Sequence, residues 1–380
     1  MRLGDICSKI GSGATPRGGK EAYSTSGIPI IRSQNVLDWS FSSNGLAYLN
    51  DEQAKTLSNV EVHQGDIFLN ITGDSVARAC IVPSDVIPAR VNQHVAILRP
   101  KEKANATFIL AWLQTNKDLL LKLASSGATR NALTKRMLEG LDINLPSIDI
   151  QNHIAELISL IQSKINLNIK LNGYLLELAT TRFEQALFKS NRVVRLGDIV
   201  KLEDSKRVPL NSRDRDARKG PYPYYGATSI MDYVDDYLFD GIRVLLGEDG
   251  SVIDESGRPI LQYVWGKYWV NNHAHILAAA SDYSLEAIYI ALQRTPISHI
   301  VTGAVQRKIS QRNLNKLKLE MPDAKSLEYL QDIFAAYRCN CEENRGLVSL
   351  RDALLPKLMS GEIDVSKIDV AQLNSHLAEY

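Results

Sequence analysis

The chain has 380 residues, of which 44% are hydrophobic and 23% charged, and a formal net charge of +1. That length predicts two or three globular domains, and the small net charge excludes nucleic-acid binding by bulk charge, so any basic surface must be local. Cys7, Cys80, Cys339 and Cys341 lack C-x-x-C spacing, which argues against structural zinc and a disulfide framework. The N-terminus lacks an apolar signal region and no run is long enough to span a membrane, so a cytoplasmic location is expected.

The first predicted element opens with Arg2-Leu3-Gly4-Asp5-Ile6, which returns as Arg195-Leu196-Gly197-Asp198-Ile199. A repeat of this kind predicts two copies of one folding unit. Residues 1–147 read as a mixed domain with strand-like runs at Ile28–Ile31, Ile67–Leu69 and Val95–Leu98, a helix over 106–123, and Pro146 as its close. Residues 148–190 contain no proline. Ile154, Ile158, Ile161, Ile165, Asn168, Asn172, Leu175 and Ala179 keep a heptad step there, with Leu157, Leu171 and Leu178 broadening it. A helix of that length is a rod of about 60 Å.

Residues 191–323 repeat the mixed domain, with Tyr222-Pro223-Tyr224-Tyr225-Gly226 ahead of strand-like Arg243–Leu246. The echo persists in order. Asn92-Gln93-His94 matches Asn271-Asn272-His273, and Gly127-Ala128 matches Gly303-Ala304. Residues 324–362 give a second rod, with Leu327, Leu330, Phe334, Tyr337, Cys341, Asn344, Val348, Arg351, Leu355 and Leu358 in step, and Pro356 disturbing its last turn. Residues 363–380 read as a poorly packed tail. Neither rod can bury its seam alone, so the two are expected to pair, with the seam asparagines fixing register.

No motif supports catalysis. Gly11 to Lys20 fails as a phosphate loop, because Ala14 stands where a glycine belongs and Glu21 where Ser or Thr should hold magnesium. No Pro-Pro dipeptide of an amino-methylating site occurs, and Asp323 with Lys325 and Glu328 reads as a helix cap rather than a nuclease centre. His94 and His273 read either as strand-end structural imidazoles or as a functional pair. The candidate binding residues are polar and basic loop positions. They are Arg17, Lys20, Arg32, Ser33, Gln34, Asn35, Arg78, Arg130, Asn131 and Lys135 in the first half. In the second they are Lys206, Arg207, Arg213, Arg218, Tyr224, Tyr225, Thr228, Ser229, Gln306, Arg307 and Lys308. Arg and Lys suit guanine edges or phosphates, and Asn and Gln suit adenine.

To about residue 362 the chain resembles the specificity subunit of Type I restriction–modification enzymes. The carrying residues are both Leu-Gly-Asp-Ile openings, Gly13-x-Thr15-Pro16, Gly27-Ile28-Pro29, Tyr224-Tyr225-Gly226-Ala227-Thr228, Gly247-Glu248-Asp249-Gly250 and the closing Leu354-Leu355-Pro356-Lys357-Leu358. The resemblance implies an α+β fold: two similar mixed target-recognition domains, separated and joined by two long helices in an antiparallel coiled coil, with a pseudo-two-fold internal repeat. It implies a non-catalytic subunit that reads a bipartite target in double-stranded DNA. Two methyltransferase subunits would dock on it and bring S-adenosylmethionine; a motor-nuclease restriction subunit would bring ATP and Mg. No cofactor and no metal are expected in this chain. The alternatives are an assembly scaffold that reads no DNA, or a stand-alone methyltransferase or nuclease. The second half lacks the Gly-x-Thr-Pro turn, and its Pro-Tyr-Tyr-Gly run has no evident counterpart near Ile30. The target should therefore be asymmetric. Lengthening each rod by one heptad should move the domains apart by about 10 Å, or about three base pairs.

Overall fold

The computed structural model describes residues 1–16, 18, 22–125, 131–303 and 306–368. Its chain forms two compact units that interleave in sequence: Met1–Asn168 with Glu343 onward, and Ile169–Glu342. The sequence suggested five segments in line, two domains, two rods and a tail; the compact units each take one part of each rod.

The first unit contains β1 (Cys7–Ser12), β2 (Ile28–Ile31), β3 (Ala47–Leu49), β4 (Ile67–Asn70), β5 (Ala79–Ile81), β6 (Arg90–Val91) and β7 (Val95–Pro100). Its larger sheet has the order β1-β7-β4-β5, antiparallel throughout. The apolar runs of β4 and β7 are buried on both faces, as uninterrupted apolar strands should be. Ile67, Leu69 and Leu98 face a core shared with Phe108, Ile154 and Leu355, while Phe68 and Ile97 face Ile30 and Ile31 of the smaller sheet, β3-β2-β6. The helix expected over 106–123 is two helices, Ala106–Thr115 and Lys117–Ser125. Asn116 divides them, its Nδ2 donating to the Trp112 carbonyl at 2.9 Å.

The second unit contains β8 (Arg192–Arg195), β9 (Val200–Leu202), β10 (Lys219–Tyr225), β11 (Ile230–Val234), β12 (Phe239–Asp240), β13 (Arg243–Gly247), β14 (Leu261–Val264), β15 (Lys267–Val270), β16 (Ala274–Ala279), β17 (Val301–Thr302), β18 (Lys308–Ile309) and β19 (Lys318–Met321). Its larger sheet, β9-β16-β13-β14, repeats the first unit's order. The register repeats too: Asn70 stands opposite Val95, and Gly247 opposite Ala274.

The smaller sheet corrects one expectation. β2 runs parallel to β6 with Ile31 opposite Val91, and β10 runs parallel to β15 with Tyr225 opposite Val270. The next amide closes the same bond in each unit, Asn92 to the Ile31 carbonyl at 2.9 Å and Asn271 to the Tyr225 carbonyl at 3.0 Å. The Pro-Tyr-Tyr-Gly run is therefore the counterpart of Ile28–Ile31.

Both rods form, as Ile148–Lys189 and Tyr329–Ser360. In the first unit Asn168 Nδ2 donates to Asn344 Oδ1 at 2.9 Å, and Arg351 Nη1 donates to Gln162 Oε1 at 2.8 Å. One number falls as the other rises, so the pairing is antiparallel. In the second unit Asn340 Nδ2 donates to Asn172 Oδ1 at 2.8 Å. The seam asparagines thus satisfy polar groups where a polar seam residue can fix register. Three rod details differ from expectation. Leu171 and Leu178 are exposed rather than part of the seam. Pro356 lies inside the second helix. After it, Val365 is buried in the first unit's core, while Gly361, Glu362, Asp364, Ser366 and Lys367 are exposed.

Candidate functional site

Both units build the same turn at the end of β4 or β13. In the first unit the Asn92 side chain accepts from the His94 amide at 3.0 Å, and Thr72 Oγ1 lies 2.6 Å from His94 Nδ1. In the second, Asn271 accepts from the His273 amide at 2.8 Å, and Asp249 Oδ1 lies 2.6 Å from His273 Nδ1. Each histidine is presented by an Asx turn leading into the next strand, which is why the Asn-x-His spacing repeats. Gly73 and Gly250 follow Thr72 and Asp249 with φ of 77° and 79°, a left-handed conformation natural to glycine. Their amides donate to the carbonyls of Asn131 and Arg307 at 3.4 and 3.0 Å. The two units therefore place Asn131 and Arg307 at equivalent points beside equivalent histidines.

In the first unit this turn borders an open hollow of about 790 Å³ lined by Ser33, Gln34, Thr72, Arg78, His94 and Asn131, among others. Four of these, Ser33, Gln34, Arg78 and Asn131, are expected binding residues. Asn70 Nδ2 secures the approach by donating to the Ser33 carbonyl at 2.9 Å. Arg78 is half-buried, and among the described residues its guanidinium has no hydrogen bond or ion pair. A cation left unpaired beside a polar hollow is available to an anionic or acceptor-rich ligand. Thr72, Asp74 and Ser75 are not among the expected residues; the Gly73 turn after the buried strand Ile67–Asn70 is the signal that could have found them.

The other expected residues divide. Arg17, Lys20 and Arg130 lie outside the described residues. Asn35 is fully buried, donating to the Ser42 and Asn44 carbonyls at 2.9 and 3.2 Å, so it braces its loop rather than offering a contact. Arg32 is held by the Gly45 carbonyl and stacks 5.5 Å over Tyr23. Lys135 pairs with Glu139 at 3.5 Å. Tyr224 and Tyr225 are corrected outright: they are buried strand residues, and the Tyr225 ring packs edge-on to Tyr268. Thr228 and Ser229 are exposed in the turn after β10.

Gln306, Arg307 and Lys308 are exposed beside the second histidine turn. Arg213 and Arg218 are not brought there. Arg218 precedes β10 and Gly226 follows it, so seven strand residues, about 23 Å, part them. Arg218 pairs with Asp235 at 2.9 Å and stacks 5.0 Å from Trp269. Lys206 pairs with Glu203 at 2.6 Å. Arg207 is also corrected as a free contact, since it pairs with Glu248 at 2.6 Å and is only 13% exposed.

Arg207 belongs to a network found in the second unit. Ligand atoms of Asp204, Glu248 and His275 lie within 4.8 Å of one another, a spacing that could hold a metal ion. The side chains instead satisfy each other. His275 Nδ1 lies 2.6 Å from Asp204 Oδ2, and its Nε2 lies 2.9 Å from the Ile309 carbonyl. Gln311 Nε2 donates to Asp204 at 2.6 Å, and Lys308 pairs with Glu248 at 3.3 Å. Burial opposes the charge on Asp204, but hydrogen bonds from His275 and the Ile276 amide outweigh it and hold the carboxyl below its usual range. Burial opposes Glu248 likewise, and Arg207 with His275 lowers it.

Comparison with known proteins agrees with this repeat. The sequence profile of the Type I restriction modification DNA specificity domain matches residues 1–175 and 189–337. A specificity subunit assigned to a type I restriction enzyme in Haemophilus influenzae is 30% identical over 127 residues, 33% of this chain and 32% of that relative. The type I restriction enzyme MjaIX specificity subunit of Methanocaldococcus jannaschii is 22% identical, over 97% of this chain and 94% of its own. The crystal structure of a Type-I restriction-modification S subunit from M. genitalium has a similar fold, with TM-score 0.56 and 15% identity, over 94% of this chain and 95% of that one. Among the described residues no helix is long and apolar enough to cross a membrane.

Proposed function

The chain belongs to the Type I restriction–modification DNA specificity family, and from that premise we propose that each unit reads one half of a split DNA target through its histidine turn. One observation carries the reading. The same Asx-turn histidine and the same strand-end glycine recur in both units, while the side chains around them differ. A common frame with unlike side chains is what two readers of unlike half-sites require. In the first unit Gln34, Arg78 and Asn131 face the DNA; in the second Thr228, Gln306 and Arg307 do. Arg17, Lys20 and Arg130 are proposed as further contacts of the first half of the chain. With the net charge at +1, the attraction to phosphates comes from these local cations rather than from the whole surface.

The chain itself performs no chemistry in this reading. It docks two methyltransferase subunits, which supply S-adenosylmethionine, and a motor-nuclease subunit, where present, supplies ATP and Mg. The test is to map methylated positions in DNA from cells carrying this chain with its methyltransferase partner. Arg307→Ala should relax the second half-site alone, and Arg78→Ala the first alone, each lost bidentate base contact costing roughly 1–3 kcal/mol. An unchanged consensus in both variants, and in Gln306→Ala and Asn131→Ala, would show that these turns do not read DNA.

A further inference from the structure

We infer that His275 and Asp204 are positioning residues that clamp the second unit's reading segment, so that recognition of one half-site depends on a buried ionic lock and recognition of the other does not. The inference rests on the reading that Gln306 and Arg307 contact DNA.

The geometry of the lock is specific. His275 is fully buried on β16. Both of its ring nitrogens face acceptors, Asp204 Oδ2 at 2.6 Å and the Ile309 carbonyl at 2.9 Å. The ring therefore bridges the Asp204 carboxyl group and the Ile309 carbonyl, inside the ion pairs that Arg207 makes with Asp204 and Glu248. That carbonyl belongs to the residue directly after Lys308. The Ile309 amide is tied as well, donating to the Glu248 carbonyl at 2.9 Å. The segment's downstream end is thus pinned at both backbone groups.

The first unit pins only one. Leu133 donates to the Ile71 carbonyl at 2.8 Å in the same way. The place of His275, however, is taken by Ala96: Val95 and Ala274 hold the same register against Asn70 and Gly247. Among the described residues no imidazole reaches the Leu133 carbonyl. The charged groups facing His275 are Asp204 from the 3-10 turn Asp204–Lys206 and Glu248, whose Oε2 lies 3.7 Å away. Arg207 pairs with both carboxylates, at 3.6 Å to Asp204 and 2.6 Å to Glu248, and Lys308 joins through Glu248.

The test uses the chain in complex with its methyltransferase partner, on duplexes in which one or the other mapped half-site is scrambled. His275→Gln and Asp204→Asn should each cut discrimination at the second half-site by tenfold or more and leave the first within twofold. Retained first-half-site reading guards against loss of the whole fold. If Arg307→Ala alters the second half-site but the His275 and Asp204 variants do not, the lock is wrong and the reading stands. If Arg307→Ala and Gln306→Ala also leave it unaltered, the reading itself has failed. A loss of discrimination equal at the two half-sites in the His275→Gln and Asp204→Asn variants would also overturn the lock.

Discussion

In the first unit the places beside the histidine turn are filled by Ser12, Ile71, Ala96 and Leu133, and Ser12 stands opposite Ala96 across the sheet. The same places in the second unit hold Asp204, Glu248, His275 and Ile309, and Asp204 bonds to His275. Strand order and backbone register are alike in the two. The fold at this point therefore needs volume and strand pairing, which aliphatic side chains supply by burial alone. Buried charges must instead overcome desolvation and do so only while every partner is in place. The ionic version has to be explained by something besides the fold, and the nearest candidate is the segment it grips.

The sharpest way to break this comparison is to remove one partner from the network and its counterpart from the apolar version. Asp204→Ala strands the His275 ring, the Ile276 amide and Gln311. It should cost roughly 3–5 kcal/mol, the usual penalty for an orphaned buried charge. Ser12→Ala, at an exposed position, should stay within about 0.5 kcal/mol. Denaturant titration read by hydrogen exchange separates the units. If Asp204→Ala costs no more than Ser12→Ala, the network is not holding the second unit together. The converse change replaces the whole network: Asp204→Leu, Arg207→Met, Glu248→Met and His275→Leu together. It should be neutral or stabilise by roughly 1–4 kcal/mol, because no charge is then left to desolvate. A loss as large as that of Asp204→Ala would mean that the fold itself needs the charges.

Sequence made the repeat legible where chemistry repeats with it. The Leu-Gly-Asp-Ile openings, the Asn-x-His spacing and the heptad seams all depend on local periodicity or local hydrogen bonds, and all reappear in the structure. Legibility failed where only the backbone repeats. Ile28–Ile31 and Tyr222–Tyr225 share a parallel ladder, but one is aliphatic and the other aromatic, so side-chain identity hid their kinship. It failed again where burial converts a polar residue into a brace. Asn35 and Arg207 have the composition of contact residues, and only their bonds across the chain reveal otherwise. Leu171 and Leu178 failed in the opposite sense, since an apolar residue beside a seam need not be in it. The candidate site suffered most, because it joins segments far apart in sequence whose common signs are the Asn-x-His spacing and the glycine after each strand.

A smaller effect sharpens the comparison on the acid side. Asp204 and Glu248 are held below the usual carboxylate range, against their burial, by His275, Arg207 and backbone partners. A carboxylate depressed in the folded state contributes stability that is fully present above its unfolded value, about 4. That contribution is lost as pH falls through the lower folded value. Near neutral pH nothing should change, and below about pH 4 the second unit should weaken first. The Ile276 and Ile309 amides report it directly, since they donate to Asp204 Oδ1 and to the Glu248 carbonyl. Their counterparts Ile97 and Leu133 have no carboxylate beside them, as Ser12 and Ile71 occupy those places. Amide exchange measured from pH 6 down should therefore show Ile276 and Ile309 losing protection before Ile97 and Leu133. Simultaneous loss in both pairs would mean that acid acts on the molecule as a whole and that the network adds nothing of its own.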